Sequence, residues 1–129
     1  MVGQQIGNYR LVKLLGAGGM GMVYEAVHDG IGGRAAIKVL RPEIASNKDA
    51  TQRFFSEARA ANLIAHPGIV HIFDCGYTSS GTAYLTMEFL EGETLTEAIT
   101  AGPIPPLRVC RIGAQIARGL QAVHDKGIV

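Results

Sequence analysis

Cysteine is scarce in this chain of 129 residues, and the two present, Cys75 and Cys110, fall in no CxxC or Cys/His spacing. That argues against a disulfide scaffold or a zinc site and predicts two packed free thiols, which suits the cytoplasm. An excess of charge of one sign is equally absent. Lys plus Arg number 12 and Asp plus Glu 11, a formal charge of +1. No run of either sign marks a surface for nucleic acid or acidic lipid, so a charged ligand must be met by individual side chains. No segment reaches the roughly 18 uninterrupted apolar residues of a membrane span. The opening MVGQQIGNYRLVKLLGAGG has neither the basic region nor the apolar stretch of a secretory signal. Internal repeats and low-complexity tracts are missing too. The expectation is a soluble chain long enough for one ordinary domain, able to bury roughly two thirds of its unfolded surface.

What the chain does have is glycine at telling places. From Tyr9 to Lys38 the apolar pattern is short and alternating, broken at Gly16–Gly21 and again at Gly30–Gly33. It predicts a strand meander of Tyr9–Leu15, Met22–His28 and Arg34–Leu40, with Asp29-Gly30 and Gly32-Gly33 supplying positive φ in the second turn. Pro42 ends the third strand, and Asp49 or Thr51 is placed to cap a helix running to about Ala65, ahead of Pro67. Phe54, Ala58, Ala61 and Ile64 or Ala65 recur on one face of that helix, with Glu57 among them. Residues 69–77 and 82–90 read as two further strands around a turn at Thr78–Gly81. Beyond Gly92 come a short helix over Thr94–Thr100, a loop over Gly102–Pro106, and a long helix from Pro106 or Leu107. The long helix carries an apolar stripe of Val109, Ile112, Ile116, Leu120 and Val123, and Gly127 suits its end. The class is α+β: a five-stranded antiparallel sheet with one helix, then two helices.

Gly16, Gly18 and Gly21 have the GxGxxG spacing, which lets backbone N–H groups approach phosphate oxygens without an intervening Cβ. Alone the signal is weak, because dinucleotide-binding folds carry the same letters. The following Met22–Val27 alternates as a strand, whereas a dinucleotide fingerprint must open a helix. No Gly-Lys-Ser/Thr follows, so a Walker-type P-loop is excluded as well. The glycine loop therefore joins two strands.

Lys38 interrupts an apolar strand on the face of Ala36 and Leu40. A lone lysine there would ordinarily be an edge residue reaching for solvent. Glu57 on the apolar face of a helix needs an explanation too, and an ion pair between the two would supply both; a helix register that leaves Glu57 solvated is the alternative. His28, His66 and His124 fall at a turn and near helix ends without an acid or base partner nearby in sequence, and read as surface or capping residues.

The loop, the Ala35-Ala-Ile-Lys38 strand and the helical Glu57, in this order and spacing, resemble the N-terminal lobe of protein kinases. The wording GAGGMGMVYEA, AAIKVL, EARAANLIAHPGIVHIFD and YLTMEFLEGETL is most similar to bacterial eukaryotic-like serine/threonine kinases, and the likeness runs from about Asn8 to Val129. It implies an extension over residues 1–8, an N-terminal lobe with ATP site and hinge over 9–90, and the start of an incomplete C-terminal lobe over 91–129. Gly16, Gly18 and Gly21 would cover the ATP phosphates within a loop of Leu15, Gly16, Ala17, Gly18, Gly19, Met20, Gly21, Met22 and Val23. Val23 and Ala36 would pack on adenine, and Lys38 would contact the α- and β-phosphates, oriented by Glu57. Met87 would guard the back of the pocket, or serve simply as a core methionine. The backbone of Glu88 and Leu90 would bond the adenine edge.

In the family the catalytic loop and the Mg²⁺-binding segment come later than anything matched here. The resemblance thus implies ATP with Mg²⁺, no metal ligand among these residues, and no phosphoryl transfer by this chain alone. The protein substrate would be engaged through the missing C-terminal lobe. The long helix, without that lobe, is expected to self-associate, dock on a partner or fray. A non-catalytic nucleotide-binding interaction module and a small-molecule phosphotransferase are the competing readings.

Overall fold

The computed structural model describes every residue from Met1 to Val129. In chain order the elements are β1 (Gln5–Ile6), β2 (Tyr9–Ala17), β3 (Gly21–His28), β4 (Arg34–Leu40), α1 (Pro42–Ala45), α2 (Lys48–Asn62), β5 (Ile72–Tyr77), β6 (Ala83–Glu88), α3 (Leu95–Thr100) and α4 (Pro106–Asp125). The strands form one antiparallel sheet in the order β1-β2-β3-β4-β6-β5. The chain divides into two compact units: Met1–Asn62 with Val70–Phe89, and Leu63–Ile69 with Leu90–Val129.

The first unit holds the sheet and its core. Its five expected strands are joined by a sixth, because the residues ahead of Tyr9 turn back through Gly7 (φ 58°) and pair Ile6 with Tyr9. Ile6 is buried against Leu11, Tyr24, Ala26, Ile37 and Val39, a core on one face of the sheet. On the other face Leu40, Ala83 and Leu85 pack against Phe54 and Ala58 of α2. The β3–β4 turn uses one left-handed glycine, Gly32 (φ 71°), where two were expected. The ring Nδ1 of His28 accepts the N–H groups of Gly30 (3.1 Å) and Ile31 (3.3 Å), so a side chain holds the rest of that turn.

Helix α2 differs from expectation at both ends. Its cap is Asn47, whose side-chain oxygen accepts from the N–H groups of Asp49 (3.0 Å) and Ala50 (3.1 Å); Asp49 and Thr51 lie inside the helix. It stops at Asn62, leaving Ile64 and Ala65 beyond it. There the Asn62 side chain donates to the Ile72 carbonyl (3.0 Å) and accepts from the Ile72 N–H (3.2 Å), tying the helix end to the start of β5. The short α1, not expected, begins with Pro42, which suits a first helical turn.

In the second unit α3 opens with a capping box. The Thr94 hydroxyl accepts from the Glu97 N–H at 3.1 Å, and the Glu97 carboxylate accepts from the Thr94 N–H at 2.6 Å. Helix α4 ends as expected at Gly127 (φ 74°), whose N–H reaches the His124 carbonyl at 2.9 Å. Its one buried residue is Gly119, which packs beside Gly68 and Ile69. Val109, Ile116 and Leu120 are about half exposed, so the apolar stripe of α4 has little cover within its own unit. Ile112 and Ile116 instead line an apolar cavity of about 630 Å³ with Leu95, Ile99 and Ile104. No helix is long and apolar enough to cross a membrane. Cys75 and Cys110 are free as expected, but both are exposed rather than packed, Cys75 on the edge strand β5 and Cys110 on α4.

Candidate functional site

Sheet register assembles the first group of residues singled out in the sequence. Val23 pairs with Lys38, and Lys38 with Leu85. One row along, Ala36 pairs with Met87. Directly paired residues, and residues two apart on a strand, share a face, so Val23, Ala36, Lys38 and Met87 lie together on one side of the sheet. This is the side of Leu40 and Leu85, against which α2 packs. Alternation sends Met22 the other way: it packs on the Ile6–Leu11 core, with its sulfur 3.5 Å from the Tyr24 hydroxyl. Any contact from Met22 to a ligand on the Lys38 face would therefore come from its backbone.

The glycine loop joins β2 to β3, as the strand-like run after it required. Ala17 pairs with Met22 and Gly16 with Val23, while the register shift between Leu14 and Gly16 makes Leu15 the extra residue of a bulge. The tip is closed by the Gly18 N–H donating to the Gly21 carbonyl at 2.9 Å. Arg41 holds it from the far end of β4: its backbone N–H donates to Met20 (2.9 Å) and its guanidinium Nε to the Gly18 carbonyl (2.8 Å). Sequence reasoning passed over Arg41, because nothing in its local pattern marks a residue that bonds a loop far earlier in the chain.

The glycines serve different ends. A Cβ on Gly16 or Gly19 would meet nothing within 4 Å, so the backbone there is open to an incoming group. A Cβ on Gly21 would meet the Val39 carbonyl oxygen at 2.6 Å, so there glycine is required by the approach of β4. Met20, at the loop tip, is half-buried against the Leu40–Phe54 cluster, as is Met87.

Lys38 and Glu57 do not form the expected pair. Glu57 is exposed, and no ion pair within 4.0 Å joins them. The buried line of α2 is Ala50–Phe54–Ala58, a four-residue spacing, and Glu57 sits about 60° of helical rotation to one side of Phe54. The half-buried Lys38 has its ammonium 5.8 Å from the centre of the Phe54 ring, within cation–π range. The nearby arginine is paired: Arg34 meets the Glu25 carboxylate at 2.8 Å and lies 3.9 Å over the Phe89 ring.

At the end of β6 the Glu88 N–H donates to the His71 carbonyl (3.0 Å), and the Glu88 carboxylate accepts the His71 N–H (2.8 Å). Leu90 belongs to the second unit and is largely exposed. His28 and His66 act as turn acceptors, the latter taking the Gly68 N–H at 2.9 Å, in keeping with their expected capping role. No group of three or more His, Cys, Asp or Glu side chains is arranged to hold a metal ion.

Residues 9–129 match the protein kinase domain family. The serine/threonine-protein kinase Pkn1 of Myxococcus xanthus is 45% identical over 129 residues, covering all of this chain and 18% of the relative. Serine/threonine-protein kinase PknA of Mycobacterium tuberculosis is 38% identical over 128 residues, 95% of this chain and 30% of the relative. Among solved structures, the Mycobacterium tuberculosis PknI kinase domain superposes with a TM-score of 0.78 at 29% identity, over 98% of this chain and 52% of that one. The chain thus spans a minor part of these relatives' full length and about half of a solved kinase domain. It belongs to the protein kinase family, and its relatives are bacterial serine/threonine kinases.

Proposed function

We propose that this chain forms the ATP-binding portion of a protein serine/threonine kinase, with phosphoryl transfer completed by residues outside these 129. The observation that carries the reading is the register that sets Val23 and Ala36 beside Lys38 and Met87 on one sheet face. A purine fits against the small apolar pair, and the Lys38 ammonium supplies a positive charge for phosphate oxygens. The open backbone at Gly16 and Gly19 leaves room for phosphates, whereas the Gly18 N–H is already engaged by Gly21. Glu88 would offer its backbone carbonyl to the adenine edge, its N–H being held by the His71 carbonyl. Mg²⁺ would travel with the nucleotide and neutralise its phosphates, its protein ligands lying elsewhere in the complete kinase domain. The remainder of that domain, which would also bring the protein substrate, is the natural cover for the exposed stripe of α4. Two free thiols accord with a cytoplasmic setting.

Thermal unfolding with and without Mg-ATP tests the reading. At ten times Kd a ligand adds about 1.4 kcal/mol, enough to raise the Tm of a domain this size by about 5 °C. The rise should vanish in Lys38→Met. No rise in the unaltered chain, or the same rise in both, would overturn the proposal.

A further inference from the structure

We infer that the Glu88 side chain is a positioning residue for the nucleotide base, an assignment that rests on the ATP reading above: by taking the His71 N–H on its carboxylate, Glu88 keeps its own backbone carbonyl open for the 6-amino group of adenine. Residues opposed as a hydrogen-bonded pair in an antiparallel ladder exchange two bonds, N–H to carbonyl in each direction. His71 and Glu88 make only one of them in that form. The Glu88 N–H donates to the His71 carbonyl at 3.0 Å, but the His71 N–H turns to Glu88 Oε1 at 2.8 Å. The side chain has replaced the main chain of its own residue as acceptor.

Neighbouring bonds show that the released carbonyl is not taken up elsewhere in the sheet. Along an antiparallel strand the backbone groups of successive residues point alternately to one neighbour and the other. Ile72, opposite Met87, turns its N–H and its carbonyl to the Asn62 side chain. His71, one residue earlier, faces β6, and Glu88 faces His71 rather than Ala35, its partner on β4. The Glu88 carbonyl belongs to the peptide group that joins Glu88 to Phe89, and both ends of this segment are anchored. His71 holds the Glu88 N–H. The Arg34 guanidinium lies 3.9 Å over the Phe89 ring and is itself bonded to Glu25 at 2.9 Å. The open acceptor thus follows directly on Met87, which pairs with Ala36 where the purine is proposed to pack.

Charge decides which acceptor the His71 N–H keeps. A hydrogen bond to a carboxylate is about twice as strong as one to a neutral carbonyl, so the N–H stays on the side chain while Glu88 is present. Without the carboxylate, the ladder offers that N–H the backbone carbonyl of residue 88, and the second bond of the pair closes. A carbonyl drawn into the ladder is turned away from an incoming amino group. A base that lacks the amino group is unaffected.

The test uses the 129-residue chain with Mg-ATP and with the same triphosphate carrying hydrogen in place of the 6-amino group, each measured by displacement of a fluorescent ATP derivative. The unaltered chain should prefer ATP about fivefold, the effect of one hydrogen bond. Glu88→Ala should abolish that preference while binding the amino-free nucleotide as the unaltered chain does. Glu88→Leu, which keeps the bulk but lacks an acceptor, should behave in the same way, which separates a lost acceptor from lost packing. Glu88→Gln, whose amide oxygen can accept the same N–H, should restore the preference. Without nucleotide, the scalar coupling through a hydrogen bond from the His71 nitrogen to the carbonyl carbon of residue 88 should be absent from the unaltered chain and present in Glu88→Ala. An undiminished preference in both Glu88→Ala and Glu88→Leu, an equal weakening of both nucleotides, or that coupling in the unaltered chain would overturn the inference and leave ATP binding standing. Failure of the unaltered chain to bind ATP would overturn both.

Discussion

Gly21 lies so close to Val39 on the neighbouring strand that a Cβ at Gly21 would stand 2.6 Å from the Val39 carbonyl oxygen. The contact is with backbone, so no side-chain rotation relieves it. Gly21→Ala should lower stability by about 1–3 kcal/mol in urea unfolding. Gly19→Ala, with open space around it, should stay within about 1 kcal/mol of the unaltered chain while weakening Mg-ATP binding. Equal stability of the two variants would contradict this division of roles.

Removal of the Glu57 charge offers a second measurement. A carboxylate in a buried pair with Lys38 would cost about 3–5 kcal/mol to lose, whereas an exposed one should change stability by no more than about 0.5 kcal/mol. The structure calls for the small value in Glu57→Gln. A loss of several kcal/mol would show that the pair forms in solution.

Arg41 connects the end of β4 to the tip of the glycine loop through its guanidinium and its own N–H. In Arg41→Ala the side-chain bond is lost and the backbone bond stays. Stability should fall by about 0.5–1.5 kcal/mol, and the Gly18 amide, bonded to Gly21, should exchange with deuterium faster. Unchanged exchange at Gly18 would mean that the loop closes without help from the arginine.

The capping box of α3 makes a pH dependence. Bonds from Thr94, first its backbone N–H and then its hydroxyl, hold the Glu97 carboxyl below its ordinary value. A carboxyl depressed in the folded state stabilises that state above its unfolded pKa, and the contribution disappears as pH falls through the folded pKa. The start of α3 should therefore fray only in acid, below about pH 4.5. The amide shifts of Thr94 and Glu97 should follow one titration with its midpoint under the free glutamate value. Glu97→Gln should abolish that titration, and a midpoint at or above the ordinary value would contradict the cap.

How much of this was legible in the sequence depended on the range of the physics involved. Two-residue alternation is local, so the shared face of Ala36, Lys38 and Leu40 could be read directly. The strand after the glycine loop was legible for the same reason. Glu57 was harder: Phe54, Ala58 and Ala61 define a stripe whose centre is clear and whose rim is not, because small alanines do not show where burial ends. Asn47, Asp49 and Thr51 are all acceptable caps, and only the turn after α1 selects Asn47. Ile6 sits in a strand of two residues, too short for any period. The need for glycine at position 21 comes from a passing backbone, which no local pattern reports.

The strand order has a kinetic consequence. Strands β2, β3 and β4 are sequential hairpins, but β4 completes its other edge only when β6 arrives after α1, α2 and β5 have been synthesised and placed. Closing so long a loop is an entropic cost met before any pairing rewards it. The meander should zip early, and insertion of β6 between β4 and β5, aligning Lys38 with Leu85, should be the late and slow event of folding.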